Sequence, residues 1–183
     1  SIADFFSLNL ARQITSKHGK ANLITSHNAC AHIDDLSGVI SGVEILLKDT
    51  GVFVMEVGYF VDVFENKWFD TIYHEHFSYF SLVSLEKLFF RYGLEIFDVD
   101  ELATHGGSLR IYLKHIENNQ HPISLKVKKL QNIEIESGLA QLKTYENFAV
   151  HVNQVKKQLQ QFCMDAKNKN KKIIGYGAPA KGN

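Results

Sequence analysis

Apolar residues recur along this chain at two different spacings, and the alternation between them predicts most of its elements. Over residues 3–18, Phe5, Leu8, Ala11 and Ile14 fall on one helical stripe that runs out at Gly19, a natural helix-terminating position. Residues 21–26 (ANLITS) form a short apolar run with β-branched members and read as a strand. Residues 34–47 return to helical spacing through Leu36, Val39, Ile40, Val43, Leu46 and Leu47. Residues 52–57 (VFVMEV) are nearly continuous in apolar character, the signature of a strand covered on both faces in a parallel sheet. The first sixty residues therefore predict helix, strand, helix, strand.

Further along, residues 84–91 (SLEKLFFR) predict a short helix capped by Ser84 and stopped by Gly93. Residues 94–99 and 108–115 alternate as two strands of a hairpin around His105, Gly106 and Gly107. From 124 to 169 the composition turns rich in Lys, Gln and Glu with spaced apolar residues. This predicts two amphipathic helices lying between domains or along a partner, with a solvated charged face. Residues 172–176 predict a last strand, followed by a glycine-rich turn. A strand that runs into such a turn is half of a βαβ unit, and a sheet entered through a helix has lost earlier strands, so the expectation is a chain truncated at both ends.

Composition narrows the picture. With 183 residues, 45% hydrophobic, the chain can bury one core and begin a second unit. Lys and Arg number 20 against 20 Asp and Glu, which removes the basic excess that draws proteins to nucleic acid or anionic lipid. Two cysteines, Cys30 and Cys163, match no metal spacing and read as small buried residues in a reducing cytoplasm. No apolar stretch reaches membrane-spanning length.

The candidate chemistry is concentrated in Tyr73-His74-Glu75-His76, directly beyond the strand ending at Val57. Loops after the C-terminal ends of parallel strands form the ligand crevice of such sheets. Here they offer a base (His76), a carboxylate to orient it (Glu75) and a hydroxyl donor (Tyr73). The alternate His spacing differs from the helical HExxH arrangement of zinc enzymes, so no metal is expected there. Asn28 and His32 follow the first strand and share the crevice if the sheet is parallel, with a structural role open for the histidine. His105, Gly106, Gly107 and Arg110 admit two readings. One is a plain hairpin turn; in the other the glycines let backbone amides approach a ligand that His105 and Arg110 contact. Gly175, Tyr176, Gly177 and Lys181 form a strand-to-helix turn able to face phosphate, without P-loop spacing.

Taken together, Asn28-x-x-x-His32-Ile33, GVFVMEV, YHEHFSYFS from Tyr73, HGGSLR from His105 and GYGAPAKGN from Gly175 resemble the S-adenosylmethionine (SAM)-dependent sugar C-methyltransferases. Members methylate a carbon of nucleotide-linked keto-deoxysugars. The resemblance implies an α/β fold in which residues 1–116 form the second half of a Rossmann-like methyltransferase domain. Residues 117–183 would supply linking helices and the start of a second Rossmann-like, sugar-nucleotide-binding domain. It further implies SAM as cofactor, zinc in an N-terminal domain outside this chain, and a nucleotide-linked sugar as substrate. Its implied site places His76, Glu75 and Tyr73 in catalysis and Asn28, His32, His105, Arg110, Gly175, Tyr176, Gly177 and Lys181 around the substrate. The family's glycine-rich SAM turn, its ribose-binding acid and its cysteine cluster are not in this sequence. A nicotinamide-dependent sugar-nucleotide oxidoreductase and a non-catalytic fragment remain as alternatives. The aromatic loop and the amphipathic helices leave room for a homo-oligomer contact.

Overall fold

In the computed structural model, residues 1–177 are described. Helix α1 (Leu8–His18) ends where Gly19 takes φ 79°, the stop its sequence predicts, but starts after Ser7, whose side chain caps it, so the helix expected from residue 3 is shorter and Phe5 lies outside it, exposed. Strand β1 (Ala21–His27) follows, then helix α2 (Leu36–Leu46), capped by Asp35 and packed against α1. Strand β2 (Leu47–Gly58) begins with no intervening loop, so the strand expected from residue 52 starts earlier. β1 and β2 pair in parallel, and between Ala21 and Leu23 the register jumps to skip residues 48–51.

Beyond β2 lies a helix the sequence did not predict, α3 (Phe60–Asn66). Helix α4 (Leu82–Phe90) is capped by Ser81 rather than Ser84. The Ser81 hydroxyl accepts from the Ser84 amide at 3.3 Å while the Ser84 hydroxyl accepts from the Ser81 amide at 3.0 Å, a reciprocal capping box. The earlier start brings Leu82, fully buried, into the helix. Strands β3 (Leu94–Leu102) and β4 (Ser108–His115) form the expected hairpin, and β4 inserts between β2 and β3. The order β1-β2-β4-β3, one parallel pair followed by antiparallel pairing, makes this a mixed α/β sheet.

Register puts Phe53, Met55 and Val57 opposite Leu113, Ile111 and Leu109, all essentially inaccessible. Onto them pack Leu82, Leu85 and Phe89 of α4, the Phe89 ring meeting Phe53 edge-on at 6.2 Å. Each such side chain contributes about 1.5–3 kcal/mol by leaving water.

Helix α5 (Leu125–Glu136) joins this core through Val127 and Leu130 and packs on α4 and β3. Helix α6 (Leu142–Asn168) buries no side chain completely; its Tyr145 and Phe148 stack on Phe60 and Phe64 of α3. Cys30 is buried beside the Ser26 hydroxyl and Cys163 is partly covered; neither forms a disulfide.

The strand expected at 172–176 is not formed: residues 171–177 have no regular structure, and Ile173, Ile174 and Tyr176 are exposed. A lone strand needs a neighbour to satisfy its backbone, and none of the described strands pairs with it. No helix among the described residues is long and apolar enough to cross a membrane.

Candidate active site at the ends of the parallel strands

The parallel strands deliver their C-terminal ends to a cavity of about 350 Å³. Asn28 follows β1 with left-handed backbone (φ 51°), a conformation asparagine tolerates, while its amide donates to the Glu56 carbonyl at 2.9 Å. This bend turns the chain into a 3-10 turn, Cys30–His32, that carries His32 to the cavity. From β2 the chain leaves at Gly58 and travels through α3 to the Tyr73–Tyr79 loop. It returns at Phe80, which bridges back to Tyr59. The loop is hung on the turn after β1: the amides of Phe77 and Ser78 both donate to the Ala31 carbonyl, at 2.8 and 3.3 Å.

His76 is fixed at both ring nitrogens. Nδ1 lies 2.9 Å from the Thr71 carbonyl, and since a carbonyl only accepts, Nδ1 carries the proton. A neutral ring then presents an Nε2 lone pair, which receives the Tyr73 hydroxyl at 3.1 Å. The Tyr73 ring lies over His76 with centroids 4.3 Å apart, His32 lies 4.8 Å away, and Tyr79 meets the imidazole edge-on at 5.8 Å. His32 Nδ1 donates to the Glu75 carbonyl at 2.9 Å, so the two imidazoles are held by the same loop. Burial pushes the Tyr79 phenol above its ordinary pKa and keeps it protonated. The result is an aromatic-walled cavity with one imidazole anchored at both nitrogens and several hydroxyl and amide donors.

Of the residues the sequence put forward, Asn28, His32, Tyr73, His76 and His105 all line this cavity. Glu75 lies in the same loop. The group that orients His76 through Nδ1 is the Thr71 carbonyl, and the Glu75 carboxylate stands 4.0 Å from His74 Nε2. Arg110 is not brought to the cavity. On β4 it is paired with Glu56, Nε and Nη2 donating to Oε2 at 3.1 and 2.9 Å, with His27 Nδ1 3.4 Å from the same oxygen. Gly106 and Gly107 do line the cavity, but their closest approach is to their own chain. A side chain at Gly106 would press on the Trp68 ring, and one at Gly107 (φ 127°) would collide with Asp62. Gly175, Tyr176 and Gly177 lie in the irregular exposed stretch and do not line the cavity, and Lys181 falls outside the described residues.

Sequence reasoning missed Thr71, Tyr59, Tyr79 and Trp68. Thr71 orients the base through its backbone, which leaves no side-chain signal, whereas Tyr79 stood within the singled-out aromatic run. Among the described residues no group of three or more His, Cys, Asp or Glu is placed to hold a metal ion.

Comparison with known proteins gives the chain a family. The family described as methyltransferase domain matches residues 2–99, and the chain belongs to it. The family described as C-methyltransferase C-terminal domain matches residues 103–183. Over 177 residues the chain is 37% identical to C-methyltransferase NovU of Streptomyces niveus, covering 97% of this chain and 42% of that protein. It thus spans less than half the length of this curated relative. Solved structures with a partial likeness include a SAM-dependent methyltransferase from Anabaena variabilis ATCC 29413 (20% identity, 63% of this chain and 57% of that one, TM-score 0.46). Another is the Haloferax volcanii complex between the Trm112 methyltransferase activator and a methyltransferase (16% identity, 52% and 54%, TM-score 0.44).

Proposed function

We propose that this chain carries the catalytic half of a SAM-dependent C-methyltransferase acting on a carbon next to the ketone of a nucleotide-linked keto-deoxysugar. The observation that supports it most directly is His76. Its Nδ1 is anchored by the Thr71 carbonyl and its Nε2 is turned to Tyr73 inside an aromatic cavity, the arrangement of a neutral imidazole held ready as a base. The relationship to C-methyltransferase NovU supplies the reaction class.

The cavity fits the reacting end of SAM, a methylsulfonium. Its walls include Tyr59, Phe60, Trp68, Tyr73 and Tyr79, whose ring faces favour a cation, and a side chain at Gly58 would meet nothing within 4 Å. Bound SAM supplies an electrophilic methyl group. The chain's own residues generate the nucleophile. A C–H beside a ketone becomes acidic enough to lose its proton to Nε2 of His76 when the developing enolate oxygen is stabilised. The Tyr73 hydroxyl, on Nε2 before substrate enters, moves to that oxygen, where Asn28 and His32 are further donors. Glu75 acts on the loop's electrostatics, with Thr71 holding the imidazole. His105 sits on the opposite wall, facing the sugar. Gly175, Tyr176, Gly177 and Lys181 contact the nucleotide only once their segment joins a second domain.

The same reading divides the protein at 116/117 into the second half of a methyltransferase domain and the entry to a sugar-nucleotide domain, with α5 as a strut between them. It sets the enzyme in the cytoplasm, with zinc held in a separate domain, and allows self-association through α6. The nicotinamide alternative depended on the turn after residue 174, and no described observation favours it.

The test is methyl transfer by the parent-length protein from SAM to a nucleotide-linked 4-keto-deoxysugar. His76→Asn should reduce transfer about 10²–10⁴-fold while SAM still binds by calorimetry. Unchanged transfer removes His76 as the base, and a parent-length protein that binds no SAM ends the methyltransferase reading.

A further inference from the structure

Glu134, on α5, is a carboxylate with no accessible surface, and among the described residues no cation pairs with it. A buried charge survives only where hydrogen bonds replace its water. Oε1 accepts from the Tyr59 hydroxyl at 2.9 Å and from the Leu82 amide at 2.7 Å; Oε2 accepts from the Val83 amide at 2.8 Å. Leu82 and Val83 open α4, where amides have no partner within the helix and the helix dipole favours an anion. Burial and the adjacent carboxylate both push the Tyr59 phenol above its usual pKa, so that hydroxyl stays a donor.

These three donors come from the two ends of one excursion. Tyr59 is the first residue after β2, and Leu82 and Val83 begin α4 just after the chain returns at Phe80. The ends are already side by side, because the Phe60 amide donates to the Phe80 carbonyl at 2.9 Å. Between them lie α3 and the loop with Tyr73, His76 and Tyr79, the loop held a second time by the Ala31 carbonyl. An apolar side chain at 134 would leave the Phe60–Phe80 contact in place but could not accept from the Tyr59 hydroxyl and the Leu82 and Val83 amides together.

We propose that Glu134 is a positioning residue, a clamp that closes the excursion and so sets where His76 stands in the cavity. The catalytic consequence rests on the function proposed above; the clamp itself does not. Residue 134 falls in the stretch matched by the C-methyltransferase C-terminal domain and acts on a loop within the stretch matched by the methyltransferase domain.

The experiment uses the parent-length protein and needs neither SAM nor substrate. In Glu134→Gln one amide nitrogen must face a donor, so one of the three bonds is lost. Hydrogen exchange read by NMR should quicken at least about ten-fold at Val83, His76 and Phe77, the loss expected for a hydrogen bond to a charged acceptor, with β3 and β4 amides unchanged. The ¹⁵N signals of the His76 ring should change from one Nδ1–H tautomer to a mixture, which a purely stabilising residue would not cause. Wild-type exchange and an unaltered His76 tautomer in a folded Glu134→Gln protein overturn the proposal. If that variant does not fold, Tyr59→Phe decides: it removes only the exit-side bond, and His76 and Phe77 exchange should still rise severalfold, while no rise overturns the clamp. Methyl transfer by the parent-length protein separates the two ideas. Loop exchange that responds in an enzyme found to transfer no methyl group upholds the clamp and rejects only the proposed function.

Discussion

Along β2 and β4 every residue from Phe53 to Gly58 has a registered strand partner, whereas from Tyr59 to Phe80 the chain is held by a few isolated bonds to other parts of the protein. The sheet repeats one interaction many times, and losing any one leaves its neighbours in place. In the excursion each bond fixes a different point. The Ala31 carbonyl holds Phe77, the Thr71 carbonyl orients His76, and Glu134 joins the two ends. Packing dominates the energy of the first region, and hydrogen-bond placement determines the geometry of the second. A substitution in the sheet should therefore cost stability broadly, and one in the excursion should disturb the cavity at little global cost.

The largest effect that sharpens this contrast is Phe89→Ala. The ring is fully buried between α4 and the sheet and meets Phe53 edge-on, so its removal should cost about 3–5 kcal/mol in urea unfolding. A loss below about 1 kcal/mol would show that the α4–sheet layer is not the core. At the junction of the two regions, Ser81→Ala removes the acceptor of the capping box where the excursion re-enters α4, and about 1 kcal/mol should be lost. Because the Glu134 carboxylate still holds the Leu82 and Val83 amides, the helix start should persist. A shift of the first α4 amides to fast exchange would place the whole burden of capping on Ser81.

The same contrast explains what was legible in the sequence. Strands β2 and β4 and helices α2 and α4 carry apolar spacing that matches their burial, so pattern alone located them, whereas β1 was found from its β-branched run although none of its residues is fully buried. Gly19 and Gly93 marked ends because both take positive φ, which glycine accepts without strain. Helix α3 escaped because Phe60, Val61, Val63 and Phe64 are its only periodic residues and it is a mere two turns long. In the cavity, Asn28, His32, Tyr73, His76 and His105 could be named because their side chains bear the chemistry. Thr71 and Ala31 could not, since each acts through a carbonyl that every residue possesses. Arg110 shows a related limit: sequence pattern sees a cation on a strand next to a glycine turn, and only the cross-strand register places Glu56 opposite it. The strand expected at 172–176 shows the limit of local pattern, because a strand exists only where another one is available to pair.

That Glu56–Arg110 pair yields the smallest effect and the one most specific to the sheet, a change in slope with pH. Hydrogen bonding from Arg110, more than the opposing burial or the weaker help from His27, holds the Glu56 carboxyl below the usual glutamate value. A carboxyl with a lowered folded-state pKa stabilises the fold fully above its unfolded value, near 4.3, and loses that contribution as pH falls through the lowered one. In that interval the unfolded chain binds more protons, so stability should rise with pH. Arg110→Gln removes the main cause of the shift and should flatten the rise seen in urea midpoints measured from about pH 6 down to about pH 2, the span over which carboxylates titrate. His76→Asn, whose hydrogen-bond partners, the Thr71 carbonyl and the Tyr73 hydroxyl, include neither Glu56 nor Arg110, should leave the slope as it is. If the two variants gave the same slope, the acid sensitivity would have to come from elsewhere. Asp100 would then come first, since it is held low mainly by Lys126 and stands opposite Arg110 on β3.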